Sequence, residues 1–140
     1  MAEEAHRASL RDDPQLARVR AVYQLKREQH PELRRRLGWT GVRAILRREG
    51  ISLVRAPLAR EAALIAGGGE TVILINSEIP PRRHTYFVAH ELSHAWMHAD
   101  DESEICFHMD DEFDPHDPRE VEAEMLSMLM LGGPLFARHF

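Results

Sequence analysis

The pattern of apolar positions predicts a helix near the start of the chain. Asp13-Pro14 is typical of a helix N-terminus, and apolar residues then recur with helical spacing at Leu16, Val19 and Tyr23. His30-Pro31 predicts the end of this helix, because the residue before a proline avoids the helical region. Residues 1–12 show no such pattern, and we expect them to form a flexible N-terminus.

A second helical stretch follows this break. A short basic piece ends at Gly38, after which Thr40 is expected to cap a helix whose apolar positions are Val42, Ile45 and Leu46. Gly50 is a typical terminator for this helix.

The period then changes from helical to extended. Residues 51–54 form a short run rich in β-formers, and residues 62–66 and 71–75 are apolar runs of strand length. Together they predict three strands. The three glycines at 67–69 predict a hairpin turn between the second and third strands, which makes those two strands antiparallel. No lysine-serine pair or helix start follows these glycines, so a phosphate-binding loop is not indicated.

Pro80-Pro81 ends the extended region and introduces a helix that contains the motif His90-Glu91-Leu92-Ser93-His94. At 100° per residue, the apolar residues of this helix lie opposite its histidines and its glutamate. One face is therefore expected to pack on the core while the other presents polar side chains. Residues 100–117, which are rich in Asp, Glu and His, are predicted to be a loop. A last helix begins at Asp117-Pro118, before the apolar run 125–131.

Composition makes the chain an ordinary globular protein, predicted to form a single domain over residues 13–140. Of its 140 residues 44% are hydrophobic and 29% charged, and its formal net charge is −5. It lacks an apolar run of membrane-spanning length, a signal peptide and a second cysteine beside Cys106, which together predict a cytoplasmic protein without a membrane partner. Basic residues concentrate in 18–60 and acidic ones in 100–124. This polarity favours solvated helix faces, and direct nucleic-acid binding is not expected.

The motif at residues 90–94 predicts a metal site. Two histidines four apart on a helix project from one face and can share one zinc ion, and Glu91 then lies beside the attacking water as a general base. A catalytic zinc needs a third protein ligand, for which Glu120 is the candidate. Asp117 and Glu120 also have the spacing of a capping box, so the spacing leaves both roles open for Glu120. Glu124 shares the face of Glu120.

Two neighbouring side chains have less obvious roles. Glu122 points away from the face of Glu120 and Glu124 and is expected to be solvated. His98 lies one turn beyond His94 and could be taken for a further ligand. Cys106 and His108 are weaker candidates as inhibitory ligands, and a partly buried thiol is the favoured interpretation of Cys106.

The order of these elements over residues 41–134 resembles the ImmA/IrrE family of metallopeptidases, a gluzincin-like group. The strand that closes on Asn76, the Arg83-led approach to the His90 motif, the helix from Glu120 and the apolar end at Pro134 all match. The sequence departs from the family pattern in three places. Ser93 replaces a glycine, Glu124 stands where Asn or Asp is usual, and one extra residue at Gly132-Gly133 precedes Pro134.

The resemblance implies a fold and a site. The fold is α+β, with a small three-stranded, largely antiparallel sheet packed against the HExxH helix and with further helices at the N- and C-terminal sides. The site is one Zn²⁺ per chain held by His90, His94 and Glu120, with Glu91 as catalytic base. Tyr86, His108 and His116 are candidates for stabilising the oxyanion. Because a histidine is common near position 98 in the family, the resemblance favours a structural role for His98, or a supporting contact to a ligand, over direct ligation.

The function implied is a zinc metalloendopeptidase that cleaves a specific regulatory protein, such as a transcriptional repressor or an antitoxin. The alternative is a zinc-stabilised regulatory or toxin-like module that binds a protein without general protease activity.

Overall fold

The computed structural model describes residues 13–98, 106–109 and 115–138, and within these ranges it contains four α-helices and four strands. In chain order they are α1 (Pro14–Gln29), α2 (Trp39–Arg48), β1 (Ser52–Ala56), β2 (Ala62–Gly67), β3 (Glu70–Asn76), α3 (His84–His98), β4 (Cys106–Met109) and α4 (Pro118–Ala137). Short 3-10 turns at Pro31–Arg34 and Pro81–Arg83 precede α2 and α3. The predicted flexible N-terminus lies outside the described residues.

Local signals place both ends of α1 where the sequence predicts them. The Asp13 carboxylate accepts hydrogen bonds from the backbone N–H groups of Gln15 and Leu16, at 2.8 and 3.1 Å. His30 ends the helix in an extended conformation before Pro31. These two boundaries are therefore set by side-chain and backbone chemistry within a few residues of each end.

The prediction that Thr40 caps the second helix is wrong. Gly38 is the N-cap of α2, with an extended backbone, and Trp39 is already helical. The Trp39 ring packs edge-on against His84, with the ring centroids 5.8 Å apart. This tertiary contact holds Trp39 in the first helical turn and leaves Thr40 inside the helix.

The three predicted strands form a mixed sheet. β1 runs parallel to β3, with Ser52 opposite Val72, while β2 and β3 form the predicted antiparallel hairpin. Gly68 and Gly69 make its turn at φ values of 62° and 82°, a region in which only glycine is free of strain. The strand order is β1-β3-β2-β4. β1 therefore lies at one edge of the described sheet, and β3 is inserted between β1 and β2.

The fourth strand corrects the prediction of a loop over residues 100–117. Cys106–Met109 pairs antiparallel with β2, with Ala63 opposite Met109. Four residues flanked by acidic side chains carry too short a pattern to indicate a strand. The exposed backbone groups of β2 supply the pairing partner, and that partner exists only in the folded sheet.

Helix α3 lies between the sheet and α4, and this packing confirms the α+β class. Val88, Ala89 and Leu92 are fully buried, and the helix contacts β2 and β3 on one side and α4 on the other. The core cluster joins α1, α2 and α4 to the same layer, through residues that include Val19, Tyr23, Val42, Ile45, Ile73, Ile75, Leu126, Leu129 and Met130. The segment 90–94 is thereby buried on every side of the helix.

The C-terminal part of α4 is kinked at Gly133, which directly precedes Pro134. Gly133 has a φ of 81°, and a Cβ there would lie 3.0 Å from the backbone nitrogen of Arg36. The neighbouring Leu37 N–H donates to the Met130 carbonyl at 3.0 Å. Glycine thus permits the close approach that fastens α4 to the segment between α1 and α2. Among the helices described, none combines the length and apolar character needed to cross a membrane.

Candidate metal centre

His90, His94 and Glu120 converge in the interior between α3 and α4. The Nε2 atom of His90 lies 3.2 Å from one carboxylate oxygen of Glu120, and the Nε2 atom of His94 lies 3.2 Å from the other. One potential ligand atom from each of the three residues falls within 4.8 Å of the other two. All three side chains are buried, with Glu120 only 7% exposed.

Two local features of the sequence produce this convergence. The spacing of four residues places both histidines on one face of α3, about one helical turn apart. Helix α4 begins at Asp117, whose carboxylate accepts the Arg119 N–H at 2.9 Å, and its first turn carries Glu120 over that face. Asp117 therefore caps the helix, while the Glu120 carboxylate is turned toward the two histidines.

A carboxylate and a hydroxyl support His90 from behind. Its Nδ1 lies 3.1 Å from Glu124, which also accepts a hydrogen bond from the Tyr86 hydroxyl at 2.9 Å. The hydrogen bond from His90 and, after it, that from Tyr86 lower the pKa of Glu124, although burial opposes the shift. Glu124 is therefore ionised at neutral pH, and it orients His90 so that Nε2 faces Glu120.

A longer chain of contacts supports His94. Its Nδ1 lies 3.2 Å from Nδ1 of His98, and Nε2 of His98 lies 3.3 Å from a Glu122 oxygen. With Nε2 of His94 kept as an acceptor, its Nδ1–H donates to His98, and the Nε2–H of His98 donates to Glu122. Arg18 of α1 contacts the same Glu122 carboxylate. Side chains of α1, α3 and α4 thus hold His94 in that tautomer through a series of contacts.

This arrangement overturns the expectation that Glu122 is solvated. The side chain is 4% exposed, because α1 packs along α4 and closes over the position that an isolated helix would leave in water. The role favoured for His98, as a support for a neighbouring ligand, agrees with its contact to His94. The spacing of His98 signals that contact, whereas no local signal identifies Glu122.

Glu91 lies next to His90 and is fully buried. The sequence predicts it as the catalytic base, and the structure shows it as a buried carboxylate of α3 between the two histidines in sequence. Of the oxyanion candidates, Tyr86 is 40% exposed and donates to Glu124, and His116 is exposed. The side chains of Cys106 and His108 lie outside the described part of the structure.

The donor set of this centre suits a metal ion. Two imidazoles and one carboxylate are the ligands of a common class of catalytic site, and each imidazole has its second nitrogen hydrogen-bonded. The cluster could therefore hold a metal without rearrangement of the helices that carry it.

Comparison with known proteins places the chain in a family. The model of the peptidase M78 family, described as the IrrE N-terminal-like domain, matches residues 46–138, which is more than half of the chain. The match spans α3, α4 and the three residues of the cluster. Neither the curated proteins nor the solved structures give a match to this chain.

Proposed function

The chain belongs to the ImmA/IrrE family of metallopeptidases, and on this premise we propose that it is a zinc-dependent endopeptidase. The observation that carries the proposal is the buried cluster of His90, His94 and Glu120, whose ligand atoms lie within 4.8 Å of one another. One Zn²⁺ per chain is the ion that best suits two imidazoles and a carboxylate in a tetrahedral site with one open position.

Each residue of the centre has a distinct role in this proposal. When bound, zinc supplies Lewis acidity, which polarises the scissile carbonyl and makes water a nucleophile at neutral pH. His90, His94 and Glu120 hold the ion. Glu91 takes the proton of the attacking water and returns a proton to the leaving amine. Glu124 and His98 hold the two histidines in the tautomer whose Nε2 carries the lone pair that a metal would accept.

The substrate we propose is a peptide bond in a specific regulatory protein, such as a repressor or an antitoxin. This part of the proposal rests on the family resemblance. The burial of the centre, with Glu120 and His90 each 7% exposed, is consistent with a narrow choice of substrates. The runner-up is a zinc-stabilised module that binds such a protein without cutting it.

Profiling of protein N-termini tests the proposal. We expect cells that express the wild-type chain to contain new internal N-termini of one or a few proteins. Cells that express Glu91→Gln should lack them, because the amide cannot accept the proton of water. The measurement is quantitative mass spectrometry of labelled N-terminal peptides from the two cultures. Identical profiles, from chains that both carry zinc, would favour the binding module.

The contacts from His94 to His98 and from His98 to Glu122 predict the effect of a second variant on zinc affinity. His98→Phe retains an aromatic ring but removes the acceptor of the His94 Nδ1–H, which frees the imidazole to turn. We expect the affinity for zinc to fall about 10-fold to 100-fold. Competition against a chromophoric chelator at pH 7 measures it.

Glu122→Gln is the matched control for this variant. Its amide oxygen can still accept the hydrogen bond from Nε2 of His98, so zinc affinity should fall less than in His98→Phe. Circular dichroism of both zinc-free variants establishes that they are folded. Wild-type affinity in folded His98→Phe would show that His98 does not orient His94.

A further inference from the structure

A groove away from the metal centre lies between α2 and β1. It has a volume of about 490 Å³, and its lining residues are Trp39, Arg43, Leu46, Arg47, Ile51, Leu53 and Arg55. The members from α2 recur with the spacing of one helix face. Those at and before β1 alternate, so they share one face of the strand. Two regular elements therefore build the groove.

The groove combines an apolar floor with a basic rim. Leu46 is buried and Trp39, Ile51 and Leu53 are half-buried, whereas Arg43, Arg47 and Arg55 are exposed. Among the described residues, no acidic side chain lines it, and none of these three guanidinium groups forms an ion pair, unlike Arg48, which pairs with Glu32. Within that part of the chain, three positive charges without an ion-pair partner thus surround an apolar channel.

One wall of this groove is built on β1, the outermost strand of the sheet in the described part of the structure. Within the described ranges β1 pairs with β3 alone, so alternate backbone N–H and C=O groups of β1 face outward. An extended peptide can bind such an edge through main-chain hydrogen bonds, and every second side chain of that peptide then lies on the face of the sheet that carries the groove. The Trp39 ring also contacts His84, the first residue of α3. The groove therefore abuts the helix that carries the metal cluster.

We propose that this groove is a docking site for an extended acidic segment of a partner protein. Carboxylates of the segment pair with Arg43, Arg47 and Arg55, since a guanidinium binds a carboxylate through two parallel hydrogen bonds. Apolar side chains between those carboxylates lie on Leu46 and Leu53. The proposal does not require peptidase activity.

The composition of the groove favours a peptide over a nucleic acid. Single-stranded nucleic acids bind on successive aromatic side chains that stack with the bases. Trp39 is the sole aromatic residue among those that line the groove, and the rest of its floor is aliphatic.

Fluorescence anisotropy with the full chain tests the proposal. The probe is a labelled peptide of repeated Glu-Thr-Leu-Thr units, in which Glu and Leu alternate on one face of an extended chain. The protein carries Glu91→Gln so that no probe is cleaved. We expect saturable binding that weakens between low and high salt. Replacement of Arg43, Arg47 and Arg55 by Glu should lower the affinity for the peptide by about tenfold or more, because three exposed charge pairs are lost. Leu53→Ala should weaken it less.

The matched control reverses three exposed arginines elsewhere, with the same change in net charge: Arg34, Arg35 and Arg82. It should bind the probe as the parent chain does. Equal weakening by both triple variants would overturn the proposal, because binding would then follow net charge alone. No binding by the parent chain would overturn it as well.

Two further probes identify the class of partner. A peptide with lysine in place of each glutamate should not bind. A labelled oligothymidine is the second probe. If it binds more tightly than the acidic peptide and no longer binds when Arg43, Arg47 and Arg55 are replaced by Glu, the proposal of a protein partner is wrong and the partner is a nucleic acid. Because only binding is measured, failure here leaves the test by N-terminal profiling unaffected.

Discussion

The rate of peptide hydrolysis by Glu91→Gln is expected to be about 10²-fold to 10⁴-fold lower than that of the wild type, while the variant retains its zinc. Glutamine has the size and shape of glutamate, but its amide cannot accept and return a proton. Since Glu91 is fully buried beside His90, the substitution changes the proton chemistry of the centre more than its packing. The measurement is the turnover of a substrate identified by N-terminal profiling, together with zinc content by atomic emission.

The stability of this variant separates a chemical loss from an unfolded protein. A buried carboxylate is costly to desolvate, so its neutral replacement should leave the melting temperature unchanged or raise it. Wild-type turnover in a zinc-loaded Glu91→Gln chain would show that Glu91 is not the base. A large fall in the melting temperature would instead assign Glu91 a structural role.

Glu120→Gln is expected to hold much less zinc than the wild type, which should carry about one ion per chain. The neutral amide oxygen replaces an anionic ligand, and the buried imidazoles of His90 and His94 then face the metal without a compensating charge. Zinc content after dialysis against a weak chelator measures the loss. Peptide hydrolysis should fall with the metal.

Two neighbouring acidic residues provide matched controls. Asp117→Ala removes the cap of α4 and should lower the free energy of unfolding by about 1 kcal/mol while zinc content stays near that of the wild type. Glu124→Gln removes the charge behind His90 and should lower zinc affinity by about 10-fold to 100-fold, less than Glu120→Gln. Equal zinc in Glu120→Gln and the wild type would reduce Glu120 to a capping residue.

The substitution of Glu124 for the usual Asn or Asp becomes intelligible in the structure. The longer side chain spans the gap to Nδ1 of His90 and also receives the Tyr86 hydroxyl. The departure from the family pattern therefore coincides with a hydrogen-bonded support for His90.

Much of the candidate site could be predicted from the sequence because its strongest signals are local. The spacing of His90 and His94 on one helix is a property of helical geometry. The start of α4 is set by Asp117 and Pro118, which act within one turn. Whether Glu120 is a cap or a potential ligand could not be decided from that spacing. The decision depends on where α4 lies relative to α3, and this is determined by packing between distant residues.

The fold shows the same division between local and distant causes. The hairpin between β2 and β3 follows from three consecutive glycines, and the end of α1 follows from Pro31. The parallel pairing of β1 with β3 has no local signal, because either edge of the hairpin could accept that strand. Strand β4 likewise forms because its backbone pairs with that of β2, and its own pattern of side chains does not predict it.

The helices, the hairpin, the histidine pair and the family resemblance could be predicted from the amino-acid order, because they depend on spacing and on side chains a few residues apart. Which carboxylates contact that pair depends on how the helices pack. The tertiary structure turned Glu120 toward both histidines and buried Glu122 against His98 and Arg18. It also placed three arginines around one groove. The physical reason is that burial and close approach between α1, α3 and α4 arise from the packing of a shared core, to which residues far apart in the chain contribute together.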